Sequence, residues 1–410
     1  MKRKPFASAV ALMAFSAFFF AHGPAGAQRD EQPPSADERQ EAAPPAAEAE
    51  RPSRPAPEFG PETARDAAEA ARRYANIAAN GGWPRLAKGK PLPALRRRLA
   101  IEGYLSREES EGDKWDDTLS DAVRRFQAHV GLDQTGEVSR ETLRALNVPA
   151  ATRARALAAT AARLARIHFR FGDRYVAVNI PAASVEAVEN DEAVKRFTAV
   201  VGGHRHHSPQ VVTKIVSIDI NPTWTVPASI IKKELAPKLR RNPHYFEREN
   251  IRILDSRGRE VDPRKLRGVS SRRAAHFTFR QEPGPKNALG SLRISMPNSH
   301  DVFMHDTPHK DLFERDFRFL SHGCVRVEGV YDLADWLLQD TGDWDASRLR
   351  DEEEQGRTEK IKLSGPVPVA WVYMTGWSTG DGPAFFRHDI YNLDKGTKLP
   401  AHSGGAVARR

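Results

Sequence analysis

Met304-His305-Asp306-Thr307-Pro308, followed after eleven residues by Leu320-Ser321-His322-Gly323-Cys324-Val325-Arg326-Val327, is the stretch on which the reading of this chain turns. Cys324 is the only cysteine in 410 residues, so no disulfide forms within the chain. A thiol becomes a nucleophile near neutral pH only with a base beside it or with a lowered pKa. Two histidines stand upstream, His322 and His305. His305 ends an expected strand, Val302 to His305, and the two-residue period of a strand sets it on the face of Phe303. Asp306 and Thr307 follow at the strand exit, where functional side chains concentrate. Gly323 permits close backbone approach just before the thiol. Beyond Cys324, Val330, Leu333, Ala334, Leu337 and Leu338 recur at helical spacing. The reading therefore expects Cys324 just ahead of a helix, whose free N–H groups and positive dipole end would lower the thiol pKa and receive an oxyanion. Arg326 is a fixed positive charge suited to a carboxylate. Inert packing is the plain alternative for a lone cysteine, and these neighbours argue against it.

Working outward, Val/Ile-rich and often alternating segments predict strands at Tyr175 to Ile180, Phe197 to Val201, Val211 to Ile220, Leu292 to Met296, Val302 to His305 and Val367 to Met374. They read as one mostly antiparallel or mixed sheet. A long charged interruption separates Trp224 from Phe279, with helix signals from Ile230 to Leu239. Such insertions act as lids or loose loops. The basic pairs Lys232-Lys233 and Arg240-Arg241 in it read as a solvated helix face. From about Asn392 the tail reads as polar and loose.

The N-terminal half reads as helical. A helix is expected from Pro61 to Ala79, ended by Gly81-Gly82 and Trp83-Pro84. Residues 93–148 give three short amphipathic helices, one carrying Leu95, Leu99 and Tyr104-Leu105, the next Ala122, Val123, Phe126 and Val130, the last Thr142, Leu143 and Leu146. A further helix, Arg153 to Ile167, is expected to pack back on the first. Ahead of all this, Met1-Lys2-Arg3-Lys4, the apolar run Phe6 to Ala21 and the small-residue exit Ala25-Gly26-Ala27 form a signal-peptide pattern over residues 1–27. An uncleaved anchor is the alternative, but the run is short for a span. Residues 28–60 are rich in Pro, Ala, Glu and Arg and predict a disordered linker. Cleavage implies export to the periplasm, with no stable membrane span afterwards.

The chain carries a net charge of +9, which admits nucleic acid, membrane or an acidic polymer as partner. No nucleic-acid motif accompanies it, and the surplus is spread along the chain. His204, His206 and His207, with Ser208, lack a recognised zinc spacing and read as an exposed turn.

His305, fifteen residues, Ser321-His322-Gly323-Cys324, any residue and Arg326 together resemble the signature of the YkuD-type L,D-transpeptidase catalytic domain. Gly81-Gly82-Trp83-Pro84, Val178-Asn179-Ile180-Pro181, Val200-Val201-Gly202, Asn221-Pro222-Thr223-Trp224-Thr225-Val226-Pro227, Pro283 to Gly290, Met296-Pro297-Asn298 and Asp389-Ile390-Tyr391-Asn392 are similar to its large, lid-bearing Gram-negative members. The helical unit, with Leu95-Arg96-Arg97-Arg98-Leu99, Ala122 to Gln127, Gly131-Leu132, Gly136 and Thr142 to Asn147, resembles a three-helix peptidoglycan-binding domain.

The resemblance implies an α+β chain. Its mostly β catalytic domain, a sandwich or mixed sheet, would span 169–376 with a lid at about 225–280. The binding domain would cover 93–148, flanked by helical scaffold at 61–92 and 149–168, with a C-terminal extension at 377–410. It implies Cys324 as nucleophile, His305 as general base, and an oxyanion turn of His322 and Gly323 with the Cys324 N–H. Ser321 would orient a histidine, and Arg326, Trp224 and Asp306 would contact substrate. The implied activity is transfer of a peptidoglycan tetrapeptide stem through a Cys324 thioester, releasing D-Ala and forming 3→3 cross-links in cell-wall biogenesis. Stem peptides and glycan would be the partners, carbapenems would inhibit, and thiolate chemistry would need neither metal nor cofactor. Water or a lipoprotein lysine as acceptor, or a wall-binding protein without catalysis, remain the alternatives.

Overall fold

The computed structural model describes residues 56–400 apart from 88, 90, 91 and 381. The expected signal peptide, nearly all of the linker and the last ten residues lie outside them.

Helices come first: α1 (Thr63–Ala79), α2 (Leu92–Ile101), α3 (Asp117–Val130), α4 (Arg140–Leu146) and α5 (Ala150–Leu164). Their bounds follow local chemistry. The Asp116 side chain caps α3 by accepting from the Leu119 N–H, and Gly131 ends it in the left-handed region that glycine tolerates. Ser139 caps α4 in the same way. Leu95 and Leu99 of α2, Leu119, Ala122, Val123 and Phe126 of α3 and Leu146 of α4 close one small core. α1 and α5 form a separate layer. Ala70, Ala71 and Ala75 recur at helical spacing and meet Ala154 and Leu157, small side chains that let two helix axes approach. The helix expected at Arg153 to Ile167 starts and ends three residues earlier. Pro149 sets that boundary, because its fixed φ suits the residue just before a helix.

The two helical layers are joined by a buried charge network. The Glu102 carboxylate pairs with Arg98 and with Arg153 and accepts from Tyr74 Oη at 2.9 Å. Arg98 also stacks over the Trp83 ring.

The strands follow: β1 (Arg174–Asn179), β2 (Ser184–Glu189), β3 (Glu192–Gly202) and β4 (Val211–Ile220). Next, β5 (Trp224–Thr225), β6 (Ile251–Leu254) and β7 (Thr278–Gln281) make a sheet of their own. Then come β8 (Leu292–Ser295), β9 (Met304–His305), β10 (Phe319–Ser321), β11 (Val325–Val327) and β12 (Glu359–Val372). A last short pair is β13 (Gly376–Trp377) with β14 (Phe385–Phe386). The main sheet runs β10-β3-β11-β9-β8-β4-β12-β1-β2, and β2 pairs again with β3. That second pairing closes the sheet on itself.

Val176 and Val178 of β1, Ile218 and Ile220 of β4 and Ile294 of β8 enter the main core. Tyr175 and Ala177 on the opposite face of β1 meet Phe59, Leu164 and Trp377. β1 is buried on both faces for this reason, which explains its unbroken apolar run. Helix α6 (Val330–Leu338) packs Val330, Leu333, Ala334 and Leu337 onto the same core, and α7 (Ala346–Glu354) adds Leu349.

The insertion between β4 and β8 is folded. Val226, Ile231, Leu235, Leu239, Phe246, Ile253 and Phe279 give it an independent core. A helical stretch over 228–241 includes a π-type turn at Ile231–Leu235. The expected loose tail is ordered at its start, since Asp394 accepts from Arg163 at 2.8 Å and from Thr375 Oγ1 at 2.7 Å.

Candidate active site

Strand register builds the site. β9 lies between β8 and β11. Arg293 and Arg326 are both directly opposite His305, and Ile294 and Val325 are both opposite Met304. Ile294, Met304 and Val325 face the main core. Successive side chains alternate, so Arg293, His305 and Arg326 share the other face. Cys324 stands just before β11, and the adjoining Val325 N–H donates to the Phe303 carbonyl at 3.2 Å. Alternation therefore sets Cys324 on that face too, beside Phe303. Asp219, opposite Arg293 on β4, extends the row.

Arg293 is pinned. Its Nε and Nη2 each lie 2.9 Å from Asp219 Oδ2, which also accepts from Ser295 Oγ at 2.7 Å. Arg326 is different. It makes no ion pair among the described residues, and its buried Nε has no hydrogen-bond partner there. An unpaired, partly desolvated guanidinium favours an anionic ligand.

His305 is buried, at 5% exposure. Its Nδ1–H donates to the Asp306 carbonyl. A carbonyl can only accept, so Nδ1 carries the proton and Nε2 keeps a lone pair. Burial pushes the imidazole down to about 3, the Arg326 and Arg293 charges add to this, and the Asp306 and Leu289 carbonyls oppose it. Cys324 keeps some exposure. Its surroundings are nonetheless tight enough that burial pushes the thiol up to about 11, against the Phe303 backbone, Arg326 and Arg293. The resting pair is thus a neutral thiol and a neutral imidazole.

This overturns the expected activation by a helix end. Cys324 is followed by β11, and α6 begins only after the left-handed Gly329. The intervening strand was hidden because Val325-Arg326-Val327 is too short to show a period of its own.

The turn before the thiol also departs from expectation. Gly323 has φ of +117°, a conformation open to glycine. Ser321 Oγ donates to the Cys324 carbonyl at 2.5 Å and accepts from the Gly323 N–H at 3.1 Å. Ser321 therefore braces the turn and does not orient a histidine, and the Gly323 N–H is already engaged. The Cys324 N–H has no acceptor among the described residues. The His322 side chain turns to the insertion. Its Nε2 lies 2.6 Å from Glu234 of the insertion, and its ring lies 4.3 Å from that of His206.

Asp306 and Trp224, expected to contact substrate, are each engaged within the protein. Asp306 is buried. Its carboxylate accepts from the Ser291 N–H at 3.1 Å and pairs with Lys310, so it organises the strand exit from within. Trp224 packs against the core of the insertion. Lys232, Lys233, Arg240 and Arg241 are exposed, as a solvated face requires. His207 stacks on Tyr391 at 3.9 Å, and among the described residues no group of His, Cys, Asp and Glu is arranged to hold a metal. Sequence reasoning missed Arg293 and Glu234. Alternation in Leu292-Arg293-Ile294-Ser295 carried the signal for the first; nothing local marked the second.

Residues 173–369 match the family described as YkuD, L,D-transpeptidase catalytic domain. Residues 88–146 match the one described as "Putative peptidoglycan binding domain". A curated relative from Haemophilus influenzae, "Putative L,D-transpeptidase", is 32% identical over 222 residues, 54% of this chain and 45% of that relative. The match thus spans less than half the relative's length. Among solved structures, an L,D-transpeptidase (Yku) from Stackebrandtia nassauensis is 12% identical, with 68% of this chain and 89% of that chain covered and a TM-score of 0.25. One from Mycobacterium smegmatis is 10% identical, with coverage of 48% and 58% and a TM-score of 0.23. The central sheet of this chain thus matches the YkuD L,D-transpeptidase catalytic-domain family, and its small helical core matches the peptidoglycan-binding family.

Proposed function

We propose that this chain is a peptidoglycan L,D-transpeptidase with Cys324 as nucleophile and His305 as general base. The observation that carries the reading is an unpartnered Arg326 that stands directly opposite His305 in the strand register and two residues beyond Cys324. A nucleophile, a base and an anion-seeking guanidinium on neighbouring strand segments support the reading.

In the first half-reaction, Cys324 Sγ attacks the carbonyl between the third residue of a tetrapeptide stem and its terminal D-Ala. His305 Nε2 takes the thiol proton as the S–C bond forms. Arg326 holds a stem carboxylate, and the Cys324 N–H receives the developing oxyanion. The C–N bond breaks, D-Ala leaves with the proton from His305, and a thioester remains. In the second, the side-chain amine of another stem attacks the thioester. His305 accepts a proton from that amine and returns it to the departing sulfur. The product is a 3→3 cross-link. Export by the N-terminal signal pattern, and retention on the wall through the helical domain, fit a periplasmic wall enzyme.

Incubation of the full chain with disaccharide-tetrapeptides, read by product mass, tests this. The expected products are a cross-linked dimer and free D-Ala from wild type, and neither from Cys324→Ala. Dimer from Cys324→Ala would sink the assignment. Release of D-Ala with only hydrolysed stem would move it to a carboxypeptidase.

A further inference from the structure

The Cys324 N–H is aimed by a residue far from it in sequence. Gly323 C=O and Cys324 N–H belong to one planar trans peptide, so they point in opposite directions. Whatever fixes the carbonyl fixes the N–H. The Gly323 carbonyl accepts from Ser208 Oγ at 2.8 Å. Ser208 is 3% exposed, and its Oγ accepts in turn from the Gly202 N–H at 2.9 Å. The hydroxyl has a single proton, and that backbone N–H occupies one lone pair, so the proton is directed at Gly323.

Ser208 is itself held from behind. Its N–H donates to Tyr391 Oη at 3.1 Å, and Tyr391 Oη donates to the Gly202 carbonyl at 2.6 Å. The Tyr391 ring is clasped between His207, at 3.9 Å, and Tyr373, at 5.3 Å. Gly202 makes the close fold of this loop possible, because a Cβ there would lie 2.2 Å from the His206 carbonyl oxygen. Tyr391 lies outside residues 173–369, the segment that matches the catalytic family.

We propose that Ser208, backed by Tyr391, is a positioning residue that sets the Gly323–Cys324 peptide so that the Cys324 N–H faces the reacting carbonyl oxygen. This rests on the acyl-transfer reading above. It adds that the C-terminal extension completes the oxyanion site through Tyr391, without touching substrate.

Two reagents acting on the same thiol separate this role from a merely structural one. Imipenem acylates: the S–C bond forms at the lactam carbonyl, an oxyanion develops, the C–N bond breaks and the lactam nitrogen takes the proton. Iodoacetamide alkylates: the S–C bond forms, iodide leaves, the thiol proton passes to solvent and no oxyanion arises. Rates on the full chain are followed by intact mass for wild type, Ser208→Ala, Ser208→Thr and Tyr391→Phe. Ser208→Ala should slow acylation by roughly 10- to 100-fold, less than the roughly 100- to 1,000-fold loss on removing an oxyanion donor because the N–H is misaimed but still present, and should leave alkylation within about twofold. Ser208→Thr should restore acylation, and Tyr391→Phe, which keeps the ring, should slow it by a smaller factor. Equal loss in both reactions, or no loss in either, overturns the inference. Wild type that alkylates but never acylates overturns the acyl-transfer reading itself and this inference with it.

Discussion

The protonation state of the Cys324–His305 pair decides how the thiol responds to pH. The thiol sits at about 11 and the imidazole at about 3, roughly eight pH units apart. At about 1.4 kcal/mol per unit, internal proton transfer costs about 11 kcal/mol before the two charges attract. That attraction returns about 4 kcal/mol at a separation near 4 Å and an effective dielectric near 20. The ion pair therefore stays about 7 kcal/mol above the neutral pair, a population near 10⁻⁵. Thiolate formed by loss of the proton to solvent amounts to about 10⁻⁴ of the enzyme at pH 7. Alkylation of the free enzyme by iodoacetamide should then rise about tenfold per pH unit from pH 7 to pH 10, with no plateau in that range. The chain has one cysteine, so the mass shift of the intact protein reports this site alone. His305→Ala should change the alkylation profile little while lowering turnover by about 10²- to 10⁴-fold. An inflection below pH 7 followed by a plateau would show a preformed thiolate–imidazolium pair and refute the reasoning.

Glu102→Gln keeps side-chain shape but removes the charge that pairs with Arg98 and Arg153. Leaving two buried guanidinium groups uncompensated should cost about 3–5 kcal/mol, read as a lowered chemical-denaturation midpoint; a loss under about 1 kcal/mol would mean the network is not holding the helical layers together. Burial pushes the Glu102 carboxyl up, but Arg153 and Arg98 more than reverse this and hold it below the usual range. A carboxyl depressed in the folded state stabilises above its unfolded pKa and loses that effect as pH falls through the lowered one. The gap between wild type and variant should therefore narrow below about pH 4. Glu234→Gln should free the insertion from His322; both side chains are more than a third exposed, so hydrogen exchange over 228–241 should quicken by no more than about fivefold at an unchanged melting temperature. Unchanged exchange would show that this contact does not restrain the insertion.

What the sequence made legible was set by how local each signal is. Val211–Ile220 was read to the residue, because its Val/Ile-rich stretch is long and bounded by Gln210 and by Asn221-Pro222. β2 was missed: Ser184–Glu189 mixes glutamates with valines, and Glu186 is buried beside Arg196 for reasons only the fold supplies. The closure of the sheet was equally invisible, since it depends on β2 meeting β3 and on β12 lying parallel to β1. At the site, Cys324, His305 and Arg326 were named from residue types and spacing. Their arrangement on one face came from register across three strands. The helix periodicity after Cys324 was real, yet a three-residue strand intervenes, and an argument from the helix dipole failed on that short step.

The failure changes how the site works. With no helix end at the sulfur, burial dominates, and the free enzyme holds both groups neutral. Arg326 contributes to that state in two directions: its charge lowers His305 and also lowers Cys324. A substrate carboxylate seated on Arg326 offsets the charge as seen by both groups. His305 then becomes a stronger base, by up to the part of its depression that Arg326 causes, and only while substrate is bound. The thiol meanwhile becomes a weaker acid, so no stable thiolate accumulates in the complex. In the proposed reaction, proton transfer would thereby be tied to attack on the carbonyl, with the Cys324 N–H receiving the charge that the sulfur brings. A lone thiol stays protonated and slow to oxidise under this arrangement, and under the proposed function it becomes nucleophilic only when an anionic substrate occupies Arg326.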